Sequence, residues 1–413
     1  MKSKTFSIIL PGILIAATGV GAGDLATAGF SGSQLGVAIL WAVVLGGVFK
    51  FALTEGIARW QLVNGDSFID GLAAKYGAVF IYVFLAYLLM WSFFVGSALI
   101  SASGVALHAV FPIFDGETGK IVFGISCSLI GLLLVRLGKF ALFEKVMTVS
   151  IGVMFVIVLV TAFLLWPGTT KVLTGLFIPT IPNIEGNGLV WTVALIGGVG
   201  GTLTIFSYGY WIREKQRTSR DDIQTCRTDL LVGYAATILF GLAMVIIGST
   251  VTVEGRGTGL IINLAKSLQG SLGDIGKWLF LVGAFFAIFS SLLGVWQAVP
   301  YLFADVMRHL KTGAPAASGE RTSLDKLDNT ANYRWFQIAL AFIPMVSLWV
   351  SFKEVQKFYA IVGTFFMPFL ALALLYFNNR KDMAEDKSGW FINLLLVATL
   401  VFFSYVGAKR LFF

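Results

Sequence analysis

One carboxylate and two glycine clusters set the chemistry this chain can do. Asp24 lies inside the first hydrophobic segment, at the end of the run Ala16–Asp24, AATGVGAGD. A carboxylate within a membrane span costs about 2.5–3.5 kcal/mol on insertion scales, so it marks a functional site by default. There it can bind a cation, carry a proton, or cap the helix that follows, since Asp suits the position before a helix. The second cluster, Gly197–Gly201 (GGVGG), interrupts a hydrophobic segment near mid-chain. Unwound backbone at membrane depth survives only where it lines a cavity or is buried in protein. Glycine can also serve close helix packing alone.

Hydroxyls follow the second cluster in TLTIFSYGYWIREK: Thr202, Thr204 and Ser207, with the phenols Tyr208 and Tyr210 beyond. With Thr18, Gly21 and Asp24 from the first cluster and Gly200 from the second, they form a candidate substrate site. Asp24, Thr204 and Ser207 are its candidate metal ligands. Ser290 in the eighth hydrophobic segment can complete it, and Ser291 and Gln297 follow. An all-oxygen set suits hard cations such as Mg²⁺, Ca²⁺ or Mn²⁺. Neither break contains Met, His or Cys. The hydroxyls have a plain structural use as well, in bonding back to their own helix.

Other polar residues have simpler uses. Glu55 and Arg59, four apart, can pair along a helix in a gating or structural role. Lys50 is expected to snorkel toward the interface. Asp305 and Arg308 are expected to end the eighth segment near water, and His108 and His309 to lie at loop edges. Trp91, Tyr208, Tyr210, Trp211 and Trp296 can instead cage an organic cation. No Ser-His-Asp arrangement and no P-loop of the form GxxxxGK[ST] occurs, so an enzyme or ATPase is not expected. Cys127 and Cys226 have no CxxC or CxxH spacing and are expected to be buried thiols. No cofactor is expected beyond a transported divalent cation such as Mg²⁺ or Mn²⁺.

The elements that must hold these residues are membrane helices. Hydrophobic residues make up 57% of the 413-residue chain and charged residues 13%, about half the roughly 25% of soluble domains. Mean hydropathy is +0.85. The net charge of +8 is explained by basic cytoplasmic loops, without a nucleic-acid partner. Spans of about 20 apolar residues are expected near 7–30, 34–59, 78–107, 120–136, 145–166, 188–211, 228–252, 274–302, 333–351, 355–378 and 389–408. Arg213, Lys215, Arg217, Arg220 and Arg227 follow the sixth, and Arg308, Lys311, Arg321, Lys326 and Arg334 the eighth. This bias predicts a cytoplasmic N-terminus, an outside C-terminus and residence in the cell (inner) membrane. MKSKTFSIIL reads as a cytoplasmic lead, GAPAASGERTS as a flexible cytoplasmic loop, and 167–187 as an external loop. The partners expected are the lipid bilayer and a small ion or small-molecule substrate.

Thr18-Gly19-Val20-Gly21 matches Gly197-Gly198-Val199-Gly200, five spans later. An odd offset reverses the direction of entry into the membrane. The chain is therefore expected to be one transmembrane domain of two inverted five-helix repeats, about 7–166 and 188–378, with an extra helix at 389–408.

PGILIAATGVGAGDLATAGFSGSQLG resembles the first span of the Nramp family of divalent metal transporters. LTEGIARWQLVNGDSFIDGLAAKYG is similar to that family's connection between second and third helices. The resemblance implies an all-α, LeuT-like fold with unwound helices 1 and 6, and secondary-active symport of a divalent metal by alternating access. A small organic cation or amino acid is the alternative cargo on the same scaffold. The family's DPGN is replaced by Gly21-Ala22-Gly23-Asp24, with the carboxylate on the family's Asn. Its MPHN falls somewhere within 202–209, where the Met and His are missing. In the third span Trp91, Phe93 and Phe94 stand where the family carries acidic residues that conduct protons. A branch of the family that also lacks full signatures moves Mg²⁺, so a hard ion such as Mg²⁺ or Mn²⁺ is expected over soft metals.

Overall fold

A computed structural model describes residues 10–252, 257–312 and 324–412. The expectations placed on MKSKTFSIIL before residue 10 and on GAPAASGERTS lie outside the described residues. Every regular element among the described residues is helical.

The first span is α1 (Leu10–Gly19), a π-helical stretch (Val20–Thr27) and α2 (Ala28–Leu35). A π-turn uses i→i+5 hydrogen bonds and is common at functional sites. The first break is thus a widened helix. α3 (Leu40–Asn64) is the second span. α4 (Phe68–Val110) starts from a capping box between Ser67 and Asp70 and kinks at Gly77, φ 69°, where the third span begins. α5 (Gly116–Leu164) contains both the fourth and fifth expected spans, Gly116–Leu137 and Lys145–Leu164. The expected external loop carries a helix of its own, α6 (Thr169–Phe177).

The sixth span is cut in two. α7 (Gly188–Gly198) stops, Val199–Thr202 is unwound, a 3₁₀ turn covers Leu203–Phe206, and α8 (Ser207–Glu214) resumes. α9 (Ile223–Gly248) is the seventh span. α10 (Leu260–Thr312) kinks at Gly273, φ 65°, where the eighth begins. The kinks at Gly77 and Gly273 precede the third and eighth spans with nearly the same backbone angles, ψ −161° and −162°. That match fits two five-helix halves. α11 (Ala331–Phe342) passes into a 3₁₀ helix (Ile343–Trp349), α12 (Phe352–Thr364) and α13 (Met367–Phe377) share the tenth span, and α14 (Trp390–Phe412) ends the chain.

Eight helical stretches among the described residues are long and apolar enough to cross a membrane. The other three expected spans are helical as well: the first runs through its π-turn, the ninth tightens to 3₁₀ at Ile343, and the last lies in α14. Large apolar side chains at the periphery, among them Phe163, Phe369 and Trp390, are exposed, as a lipid-facing surface requires. The π-helical stretch sits in the centre, packed against α4, α7, α9, α10 and α12.

Candidate transport site

The two breaks touch backbone to backbone. A Cβ built on Gly19 would lie 2.9 Å from the carbonyl carbon of Gly200 and 2.9 Å from the amide nitrogen of Gly201. Only glycine at position 19 allows that approach. Gly200 and Gly201 have φ of 72° and 83°, in the left-handed region that side chains disfavour, so the turn that unwinds helix 6 depends on them too.

Asp24 projects from the π-helical stretch into this contact and is fully buried. Its Oδ1 accepts the Gly200 N–H at 3.3 Å, and its Oδ2 has no hydrogen-bond partner among the described residues. Asp24 does not cap α2: the residue before that helix is Thr27, which makes no side-chain cap. One carboxylate oxygen therefore ties the two breaks together and the other is left over.

Lys50 departs most from expectation. It does not snorkel. Its side chain is fully buried, and Nζ donates to the carbonyls of Gly197 at 2.7 Å, Val199 at 3.3 Å and Gly201. α3 runs too close to α7 for the chain to turn elsewhere: a Cβ on Gly46, one turn earlier, would lie 2.7 Å from the carbonyl oxygen of Ile196. The site so carries one acid and one base, each bonded to the unwound segment of helix 6.

The hydroxyls divide. Thr202 is buried at the break, where its Oγ1 accepts from Trp91 Nε1 at 2.6 Å. Thr204 lies in the 3₁₀ turn against Gly201, and Ser207 opens α8 one turn farther on. Thr18 and Ser290 bond back to their own helices, to Leu14 O at 2.7 Å and Ala287 O at 2.8 Å. Thr18 abuts Gly294, so α10 does pack beside the first break. Gly21 lies in the π-helical stretch.

Tyr208 is not brought to Asp24. Its hydroxyl donates to Asp229 Oδ2 at 2.8 Å and to the Cys226 carbonyl at 3.1 Å. Asp229 also accepts from Arg217 at 3.1 Å and from the Gly12 N–H at 2.8 Å. On α9 it is Gly241 that neighbours Asp24. Asp229 precedes it by more than three helical turns, roughly 18 Å at 1.5 Å per residue. The aromatic set is similarly dispersed. Trp91 stays at the break, but Tyr210 bonds Asp305 at 3.0 Å and Trp211 bonds Gln297 at 2.9 Å. Three of the five therefore bond elsewhere, while Trp296 is fully buried with no hydrogen-bond partner for its Nε1 among the described residues.

Glu55 and Arg59 do pair along α3, and Arg59 also donates to the Asp386 carbonyl at 3.1 Å, which anchors the loop before α14. The pairing between helices lies elsewhere. Arg308 of α10 bonds Asp70 of α4 at 2.6 Å and Asp305 at 2.6 Å, and His309 Nε2 stands 2.9 Å from Asp70. Asp305 is fully buried and not near water as expected. Asp70, Asp305 and His309 could group around an ion, but the Arg308 guanidinium already serves both carboxylates. The cluster ties α4 to α10 on the side of the molecule expected to be cytoplasmic. Asp305, Arg308 and His309 are read from the sequence as polar residues near a span end, but Asp70 carries no such signal, and its pairing with Arg308 joins residues 238 positions apart. Cys127 and Cys226 are buried free thiols, as expected.

A groove of about 590 Å³ lies away from both breaks, lined by Tyr76, Phe80, Phe84, Phe366 and Phe369 among others. It is open and apolar, as a lipid-filled crevice would be.

Comparison with known proteins gives one family. The sequence pattern described as natural resistance-associated macrophage protein-like, Nramp, matches residues 12–412. An uncharacterised protein of Pasteurella multocida is 25% identical over 304 residues, 70% of this chain and 68% of that protein. The divalent metal cation transporter MntH of Mycobacterium leprae is 23% identical over 416 residues, covering 94% of this chain and 88% of its own. Among solved structures, a mutant of the Eremococcus coleocola manganese transporter superposes with a TM-score of 0.74 at 15% identity, over 98% of this chain and 87% of that one. MhsT in complex with L-phenylalanine superposes at 0.64 with 15% identity, over 96% of each chain.

Proposed function

Since the chain belongs to the Nramp family across residues 12–412, we propose that it is a secondary transporter moving a divalent metal cation by alternating access, with Asp24 as the carboxylate its cargo meets. One observation carries this: Asp24 Oδ2 is buried where the two breaks meet and has no hydrogen-bond partner among the described residues. A buried carboxylate oxygen without a partner is costly. A cation arriving beside it relieves that cost.

Beside Asp24, the oxygens on offer are the hydroxyls of Thr202 and Thr204, on the unwound stretch and in the turn after it, while Lys50 holds the break carbonyls of Gly197, Val199 and Gly201. Hard ions such as Mg²⁺ and Mn²⁺ suit such a set better than soft ones. The names of the M. leprae and E. coleocola proteins agree with this cargo class. The Asp70–Arg308–Asp305 cluster fits alternating access, because it ties α4 to α10 at the end expected to be cytoplasmic, where a gate is needed.

The test is uptake of Mn²⁺ and Mg²⁺ into proteoliposomes by the wild type and by Asp24→Ala. Uptake by the wild type that the variant loses is expected. Equal uptake of both metals by the variant would overturn the proposal.

A further inference from the structure

We propose that the carbonyls of Gly197, Val199 and Gly201 form a cation site that this chain fills with its own Lys50 ammonium. An ammonium has three N–H donors and no acceptor. Lys50 is fully buried, and its donors meet three carbonyls, of Gly197 at 2.7 Å, Val199 at 3.3 Å and Gly201. A neutral amine has one donor fewer, so three acceptors call for the charged form.

The three carbonyls are available because helix 6 unwinds. α7 ends at Gly198, so Gly197 is among the last residues of a helix whose carbonyls lack intrahelical partners. The same end carries the negative pole of the helix dipole. The positive φ of Gly200 and Gly201 turns the chain so that alternate carbonyls, at 197, 199 and 201, face one point. Asp24 adds a carboxylate to the same segment through Gly200. Oxygens, a helix C-terminus and a nearby acid make a site for a small monovalent cation. The chain occupies it with a tethered one.

A tethered cation cannot leave with the cargo. The transporter therefore needs no free co-ion at this position, and whatever binds Asp24 Oδ2 does so beside a fixed positive charge. The inference stands whichever cargo is carried, since it concerns the support of the break and not the transported species.

The experiment is thermal unfolding of the purified full-length protein in chloride salts of choline, sodium, ammonium and methylammonium at equal ionic strength. The variants are Lys50→Met and Lys50→Ala. Methionine ends one atom short of the ammonium, so it keeps the stem and leaves the cage itself open. The wild-type Tm is expected to be the same in all four salts. Both variants are expected to melt lower in choline. Lys50→Met should regain several degrees in sodium or ammonium but not in methylammonium, whose methyl group has no room beside the Met stem. Lys50→Ala should respond to methylammonium as well. A ligand that binds only the folded state stabilises it with the logarithm of its concentration. Variants indifferent to the cation would overturn the proposal, as would a wild type as responsive as they are. Failure of both variants to fold in every salt would also overturn it, because a cage open to free cations is rescued by them. None of these readouts involves metal uptake, so failure here is distinct from failure of the metal-transport proposal.

Discussion

Asp24 and Gly200 stand 176 residues apart and are joined by a single hydrogen bond of 3.3 Å, from the Gly200 N–H to Oδ1. That bond crosses from the first broken helix to the second, and Gly19 is pressed against the same segment. What looks like two flaws in two helices is one joint.

The joint should resist any added methyl group. Gly200→Ala is expected to lower stability by about 1–2 kcal/mol from its left-handed backbone alone. The new Cβ would also lie 2.9 Å from the Tyr234 ring. Gly152→Ala, in a helix with nothing within 4 Å of the new atom, serves as the control and should be neutral or stabilising. Equal losses of Tm in the two variants would count against the special geometry of the break.

Gly19→Ala acts on the other side of the joint. Its Cβ would meet backbone atoms, which yield less than side chains do. Overpacking of this kind costs about 1–3 kcal/mol. The expected result is a lower Tm together with weakened cargo binding by calorimetry, because Asp24 moves relative to Gly200. Unchanged cargo affinity in a folded variant would show that the two breaks are not coupled.

Tyr208 should prove structural. Tyr208→Phe removes its bond to Asp229, 2.8 Å long, and is expected to cost about 1–3 kcal/mol, the range for hydrogen bonds to charged groups and for buried groups left short of a partner. Cargo affinity should stay at the wild-type value, since the bond lies more than three turns of α9 from Asp24. A tenfold loss of affinity without loss of stability would place Tyr208 in the site after all.

The charged cluster between α4 and α10 should hold one side shut. Arg308→Gln leaves Asp70 and Asp305 without their shared cation; the pair is only partly buried and both carboxylates keep other partners, so the expected cost is about 1–3 kcal/mol. A cysteine placed at Ser207 should react faster with a membrane-impermeant thiol reagent in the Arg308→Gln background. If the labelling rate does not change, the cluster is only a brace.

The parts of this site that sequence made visible are those whose residue type is wrong for a membrane helix. Asp24 and the clusters around Gly21 and Gly200 stand out against Leu, Ile and Val, and the structure brings both clusters together. The hydroxyls and phenols after Gly201 were harder, because proximity in sequence is not proximity in space once a helix resumes. By Tyr208 the chain has turned toward Asp229. Lys50 shows a different limit. Snorkelling describes a lysine with a route to water, whereas this one sits near the middle of α3 beside carbonyls up to 151 positions away. Its partners exist only because another helix unwinds, and that pairing has no local signature. The same holds for Arg308 and Asp70.

The Lys50 ammonium and the Asp24 carboxylate sum to zero charge, so the unloaded site presents nothing for the membrane voltage to pull on. A divalent cargo adds two positive charges to the moving assembly. At about 2.3 kcal/mol per charge for each 100 mV, full passage of that cargo draws about 4.6 kcal/mol from a membrane potential of 100 mV. Voltage would then drive the loaded crossing and leave the empty return untouched, giving the carrier an electrical direction set by its cargo alone.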